Sequence, residues 1–197
     1  MDQAAPQEPQ EEQGTAPRLV LKRSVVLVGM MGAGKTAVGR ALSQRLAVPF
    51  LDSDAAIEEA AQASIAEIFA RDGEAFFRDR ETEVIGRLLS GPAGIISTGG
   101  GAFMKERNRS LITQKGVSVW LDVDLNVLWE RVRHKDTRPL LRTANPRATL
   151  GELFAARVPV YRLADLRVTA QASTSIEETA SRVIDALRSR ADVMETE

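Results

Sequence analysis

A short apolar run, Ser24-Val25-Val26-Leu27-Val28, passes directly into Gly29-Met30-Met31-Gly32-Ala33-Gly34-Lys35-Thr36 and then into a stretch of helical character that reaches Leu46. Few architectures can use that succession. A β-branched run without polar alternation suits a strand covered on both faces. The next eight residues fit G-x-x-x-x-G-K-[ST], a loop that cradles phosphate between a strand and a helix. Its glycines let the backbone curl so that successive N–H groups face phosphate oxygens, and the helix that follows presents its positive end to the same anion. Gly32, Ala33, Gly34, Lys35, Thr36 and Ala37 are therefore the expected contacts to ATP. Lys35 is expected to reach the β- and γ-phosphates, and the Thr36 hydroxyl to meet Mg²⁺. Phosphoryl transfer, hydrolysis and switching all use such a loop, so the acceptor must be sought elsewhere in the chain.

Strand-like and helix-like segments alternate through the rest of the sequence. Phe50-Leu51 leads to a second strand ending at Asp52, Ile95-Ile96 lies in a third, Val117–Val123 forms a fourth and Leu166–Thr169 a weaker fifth. Helices are expected from Ser64, where Ser64 and Glu67 have capping-box spacing, to near Gly73, and from Glu74 to Leu89. Further helices are expected over Leu125–Arg133, over Leu150–Arg157 and beyond, and after Ser175. Strands separated by helices imply right-handed crossovers, hence a three-layer α/β/α domain around a five-stranded parallel sheet. Ligands of such sheets bind beyond the carboxyl ends of the strands. The domain is expected over residues 21–190. Residues 1–20 read as a polar, disordered tail, because Pro6, Pro9, Pro17 and the acids Asp2, Glu8, Glu11 and Glu12 come with scarcely any large apolar side chain. Residues 191–197 read as a C-terminal tail.

Composition removes several chemistries. With no cysteine and a single histidine, disulfides, thiolate nucleophiles, Cys-based zinc sites and poly-His metal sites are excluded, and a Ser-His-Asp triad is improbable. The 26 basic against 27 acidic residues argue against a nucleic-acid-binding role. No apolar run spans a bilayer, and the N-terminus has neither a secretory core nor Arg-rich transit character, so a cytoplasmic protein is expected, without membrane or nucleic-acid partners and monomeric by default.

The acceptor side has three candidate clusters. Asp52 and Asp54 flank Ser53 at the end of the second strand, where one carboxylate can hold a metal's water shell and the other a substrate hydroxyl; an N-cap for the next helix is the plainer alternative. Arg78 follows Phe76 and Phe77, two aromatics expected to be partly buried, and is better placed than Arg80 to project into a cleft. Arg80 reads as a surface ion-pair partner. Gly99-Gly100-Gly101 follows the third strand and permits close approach to a small ligand. The basic stretch over about 134–148, with Arg138, Arg142 and Arg147, reads as a lid closing over phosphates, and Arg157 lies beyond it. His134 reads as solvent-facing, and Trp120 and Trp129 as packing.

Taken together, GMMGAGKT at 29–36, LDSD at 51–54, FFRDRE at 76–81, STGGG at 97–101, RPLL at 138–141 and ARVPVY at 156–161 resemble the shikimate kinase family from about residue 24 to 188. The resemblance implies a nucleoside monophosphate kinase type of fold with a substrate-binding helical region and a lid. It implies ATP-dependent phosphorylation of the shikimate 3-hydroxyl on the route to chorismate, with shikimate and ATP as partners. It also implies that Asp54 binds the reacting hydroxyl and is the candidate base, that Arg78, Arg157 and Gly99–Gly101 hold the substrate and its carboxylate, that Arg138 acts near the ATP phosphates, and that Asp52 serves Mg²⁺ through water. Lys35, Asp54 and Arg138 are the expected catalytic set. The family's basic residue beside adenine has no counterpart in Val168–Ala172, which leaves the adenine contacts unassigned. The competing expectations are a related kinase for gluconate or a nucleoside monophosphate, and an ATP-dependent regulator.

Overall fold

The computed structural model of the chain describes residues 19–134 and 139–196. In chain order the elements are β1 (Leu19–Leu21), β2 (Ser24–Val28), α1 (Lys35–Leu46), β3 (Phe50–Asp52), α2 (Ser53–Ala61), α3 (Ile65–Leu88) and β4 (Ile95–Ser97). A 3₁₀ turn at Ala102–Met104 precedes α4 (Glu106–Lys115), β5 (Gly116–Val123) and α5 (Leu125–Val132). A second 3₁₀ turn at Pro139–Leu141 precedes α6 (Pro146–Tyr161), β6 (Leu166–Ala170), α7 (Ile176–Arg188) and β7 (Met194–Thr196).

The main sheet has the order β3-β4-β2-β5-β6, and every pairing in it is parallel. β2 therefore lies at the centre, and the chain leaves it toward one edge and returns to build the other. Right-handed crossovers put α1 on one face, where α7 joins it, and the helices from α2 to α6 on the opposite face. All five residues of β2 are buried, with Val25, Val26 and Leu27 wholly so, as a strand covered on both faces demands. One core surrounds the sheet, and a smaller one joins Ile57, Ile68, Phe77 and Val84 between α2 and α3.

Local chemistry explains the boundaries. Ser64 and Glu67 complete the expected capping box of α3. Gly73 breaks that helix with φ 83 and ψ 172, where two helices were expected to meet. Helix α4 escapes sequence inspection because ERNRSLITQK buries only Asn108 and Ile112 and so has no apolar stripe. Helix α6 starts four residues before the expected Leu150: Asn145 caps Ala148 N, and Pro146 sits in the first turn, where a missing N–H costs nothing. Residues 146–148 of the expected lid therefore belong to this helix. The tail boundaries also move. Leu19–Leu21 and Met194–Thr196 form an antiparallel ribbon, with Leu21 and Met194 buried and Lys22 paired to Glu195. A few apolar residues in otherwise polar ends were enough to extend the domain outward. Residues 1–18, and Arg138 with most of the basic stretch before Pro139, lie outside the described residues. Among the described residues no helix is long and apolar enough to cross a membrane.

Candidate active site

The loop after β2 curls because three of its glycines take positive φ: Gly29 at 142°, Gly32 at 82° and Gly34 at 94°. Crowding adds to the requirement. A Cβ on Gly32 would lie 2.7 Å from Val132 Cγ1. Gly34 then serves as the N-cap of α1 with no side chain of its own, so the first amides of the helix face the loop. Lys35 folds back across the loop, donating to the carbonyls of Gly29 (2.9 Å) and Met30 (3.0 Å). Gly32, Ala33, Gly34, Lys35, Thr36 and Ala37 line one cleft of about 520 Å³ together with Asp52, Asp54, Ser97, Gly99 and Gly100.

Two carboxylates stand at the mouth of β3. Asp52 Oδ1 accepts from the amides of Asp54 (3.0 Å) and Ala55 (3.3 Å), so the plainer reading, a helix cap, holds for this oxygen. That bond fixes the start of α2 and thereby aims Asp54. Asp54 Oδ1 is buried and has no hydrogen-bond partner among the described residues. Burial pushes the Asp54 carboxyl above its ordinary 3.8, Asp52 pushes the same way, and Lys35 and Arg78 oppose it. An orphaned buried acceptor on the wall of a cleft is costly unless something donates to it.

The glycine triplet after β4 brings the remaining groups together. A Cβ on Gly99 would lie 2.8 Å from Asp54 Oδ1, one on Gly100 3.2 Å from Arg157 Nη1, and one on Gly101 2.7 Å from Arg78 Nη2. Each glycine thus leaves the space that one predicted site residue fills. Arg78 also donates to both oxygens of Glu81, at 3.0 and 3.2 Å, and that carboxylate is almost wholly buried. Its Nε and Nη2 make longer contacts, 3.4 and 3.3 Å, to the exposed Glu74. Burial raises the Glu81 carboxyl above its ordinary value, while Arg78 restrains the rise. The expectation of two partly buried aromatics is corrected in one detail: Phe77 is buried beneath Arg78, whereas Phe76 is exposed. The reason is that consecutive helical residues face different sides, and only one faces the α2–α3 core. Arg80 covers Phe76 and pairs with Glu83 on the surface, as expected of it.

Several supporting residues were not singled out in the sequence. Glu81 is one. Asn108 holds the carbonyl of Ala102, and Arg109 holds those of Phe103 and Met104, so the turn after the triplet is pinned from α4. Arg131 donates to Gly32 O (3.3 Å) and lines the same cleft as Ala170, Thr174 and Ile176. Nothing in the letters distinguishes such residues from surface charges, because their roles depend on which backbone atoms they meet. His134 is exposed, Trp120 is buried in β5 and Trp129 packs against the core. Arg138, expected over the ATP phosphates, lies outside the described residues.

The donors suit a magnesium ion. Thr36 Oγ1 and Ser97 Oγ are 3.5 Å apart, and Asp52 lines the same cleft. Magnesium keeps several waters and takes one or two protein oxygens plus substrate phosphates. Among the described residues there is no cluster of three or more His, Cys, Asp or Glu that would form an all-protein cage.

A phosphate loop at the tip of the central parallel strand, sharing one cleft with Asp52, Asp54 and Gly99 and Gly100 of the glycine triplet, is the arrangement of a P-loop kinase. Comparison with known proteins narrows that class. A family model described as shikimate kinase matches residues 31–188. The shikimate kinase of Ruegeria pomeroyi is 68% identical over 175 residues, covering 89% of this chain and 90% of that protein. A structure of the shikimate kinase from Acinetobacter baumannii in complex with shikimate superposes with a TM-score of 0.81 at 37% identity, covering 86% of this chain and 94% of that one. The chain belongs to the shikimate kinase family. A gluconokinase from Sinorhizobium meliloti, at 20% identity and TM-score 0.60, shares the fold.

Proposed function

We propose that the protein transfers the γ-phosphoryl group of ATP to the 3-hydroxyl of shikimate, giving shikimate 3-phosphate and ADP. The observation that carries this reading is the glycine triplet, which seats a buried carboxylate and two guanidinium groups side by side next to the phosphate loop. A compact acid with several hydroxyls fits that set. Planar guanidinium forks suit its carboxylate, and an aspartate with an unsatisfied oxygen suits a hydroxyl.

Asp54 Oδ1 accepts the hydrogen bond of the reacting hydroxyl and orients it toward the loop. Its raised pKa brings it nearer to a useful proton acceptor, which takes the hydroxyl proton as the new P–O bond forms. Arg78 and Arg157 grip the carboxylate at the other end of the ring and fix its register. Lys35 exchanges its two carbonyl partners for the β- and γ-phosphates, and the loop amides hold the phosphate oxygens. Thr36 and, through water, Asp52 would hold Mg²⁺, which supplies charge neutralisation on the phosphates when bound. Arg138, which lies outside the described residues, is assigned to the same phosphates on the strength of the family resemblance. The adenine, left unassigned from sequence, is given to the gap between Arg131 and the β6–α7 connection at Ala170, Thr174 and Ile176. Alignment and charge, more than strong base action, carry the rate in this chemistry.

An ADP-release assay with shikimate, gluconate and nucleoside monophosphates as acceptors tests the proposal. Turnover that depends on shikimate is expected. Stimulation by gluconate or a nucleotide instead, or ATP binding without acceptor-dependent turnover, overturns it.

A further inference from the structure

Tyr161 is the last residue of α6 and, among the described residues, the largest fully buried side chain. Its ring lies between two others: Trp120 of β5, with centroids 6.1 Å apart and planes at 22°, and Phe103 of the turn after the glycine triplet, at 6.5 Å and 19°. Trp120 is held in turn by the Arg167 guanidinium, 5.1 Å from its ring centre. The stack leaves the phenol ring little freedom, so the position of its oxygen is set by the sheet.

That oxygen sits at a junction. The Tyr161 hydroxyl donates to Gly100 O at 2.5 Å. Arg157, one turn earlier on the same helical face, sets its charge near the hydroxyl and opposes the rise that burial imposes on the phenol pKa. A phenol has one proton to give and lone pairs to receive, so a single atom can satisfy both partners. Burial pushes the hydroxyl pKa up to about 12, against the opposing pull of Arg157, so it stays a donor through the working pH range. Gly100 and Arg157 are also close neighbours: a Cβ added to Gly100 would lie 3.2 Å from Arg157 Nη1, so the glycine leaves room for the guanidinium.

We infer that the Tyr161 hydroxyl is a positioning group for the acid-binding end of the site, locking the Gly100 carbonyl and the Arg157 guanidinium in the mutual geometry that receives the substrate carboxylate. The inference rests on the proposed function above and adds to it a residue that touches no substrate. Gly100 also lies beside the phosphate loop, where an added Cβ would meet Gly29 O at 3.7 Å and Met31 N at 3.8 Å, but the Tyr161 hydroxyl bonds only its carbonyl, so loss of the hydroxyl is expected to act on shikimate more than on ATP.

Tyr161→Phe keeps the aromatic stack and removes the junction. Shikimate KM is expected to rise about tenfold, the upper end for one neutral hydrogen bond, while ATP KM stays within twofold. If the hydroxyl acts through Arg157, then Tyr161→Phe added to Arg157→Lys raises shikimate KM no more than twofold further. Equal changes in both KM values, additive effects in the double variant, or a drop in melting temperature with both KM values unchanged overturn the inference. Gly100→Ala presses on Arg157 from the other side and carries the test if Tyr161→Phe does not fold; an unchanged shikimate KM there is equally fatal. Failure of the parent protein to phosphorylate shikimate would instead refute the proposed function, so the two outcomes are distinct.

Discussion

Gly101→Ala isolates the arginine grip without disturbing the backbone. Gly101 has φ −92 and ψ −15, a conformation open to alanine, so the substitution adds no backbone strain. The new methyl would, however, lie 2.7 Å from Arg78 Nη2 and 2.8 Å from Nη1, against an ordinary contact of 3.4 Å or more. The guanidinium must therefore retreat by about 0.7 Å, the difference between 3.4 and 2.7 Å. It cannot retreat freely, because Glu81 holds it from the other side and is itself buried in α3. The fork swings away from the pocket and loses its alignment with a carboxylate. Hydrogen bonds to charged groups contribute ~1.5–3 kcal/mol, and ~1.4 kcal/mol is a factor of ten, so shikimate KM is expected to rise roughly 10- to 100-fold. The carboxylate is held alike in the ground and transition states, so kcat should change far less than KM. ATP KM should stay within about twofold, since the phosphate loop is untouched. The melting temperature should move by less than about 4 °C, the shift that ~1 kcal/mol produces in a domain of this size. Steady-state ADP release at varied shikimate and varied ATP, with a thermal melt of the same preparation, measures all of this. A folded Gly101→Ala protein with an unchanged shikimate KM would show that Arg78 does not hold the substrate.

Two further substitutions probe stability. Gly86→Ala, within α3, places a methyl 3.9 Å from Leu111 Cδ1, an ordinary contact, and removes a glycine from a helix interior; chemical denaturation should show a gain of roughly 0.5–1 kcal/mol with activity unchanged. A loss would mean that the helix needs glycine there for a reason absent from its contacts. Asp192, at the base of the terminal ribbon, is hydrogen-bonded by Arg190 and Arg23, and chiefly the Arg190 bond lowers its pKa from an ordinary 3.8 to about 2. A carboxyl depressed in the folded state stabilises above its unfolded pKa, and that contribution vanishes as pH falls through the folded value. Asp192→Asn should therefore melt below the parent at pH 7, and the gap should close between about pH 4 and pH 2. A gap that persists at pH 2 would remove charge as the cause.

What could be read from the letters was local. The phosphate loop was legible because its chemistry depends on residue types at fixed spacing: glycines for positive φ, a lysine and a hydroxyl at the helix start. The buried strands were legible for a similar reason, since a β-branched run such as Val25–Val28 has few other uses. Asp54, Arg78, Arg157 and the glycine triplet could be named as candidates, and the family they pointed to is the one the chain belongs to. Helix α4 could not be read, because a helix with two buried positions leaves no periodic trace.

The ribbon of β1 and β7 joins ends about 170 residues apart in the chain, a pairing that no local pattern encodes. Glu81 looked like one acid among many on a charged helix, and only the packing of α3 against the site buries it beside Arg78. Tyr161 closed a family motif in the letters, yet its contact with the Gly100 carbonyl exists because α6 ends over the tip of β4. Spacing along the chain sets which groups a loop or a helix face offers. Long-range packing decides which of them lose water, and a charge or hydroxyl acquires its strength as a partner at that moment.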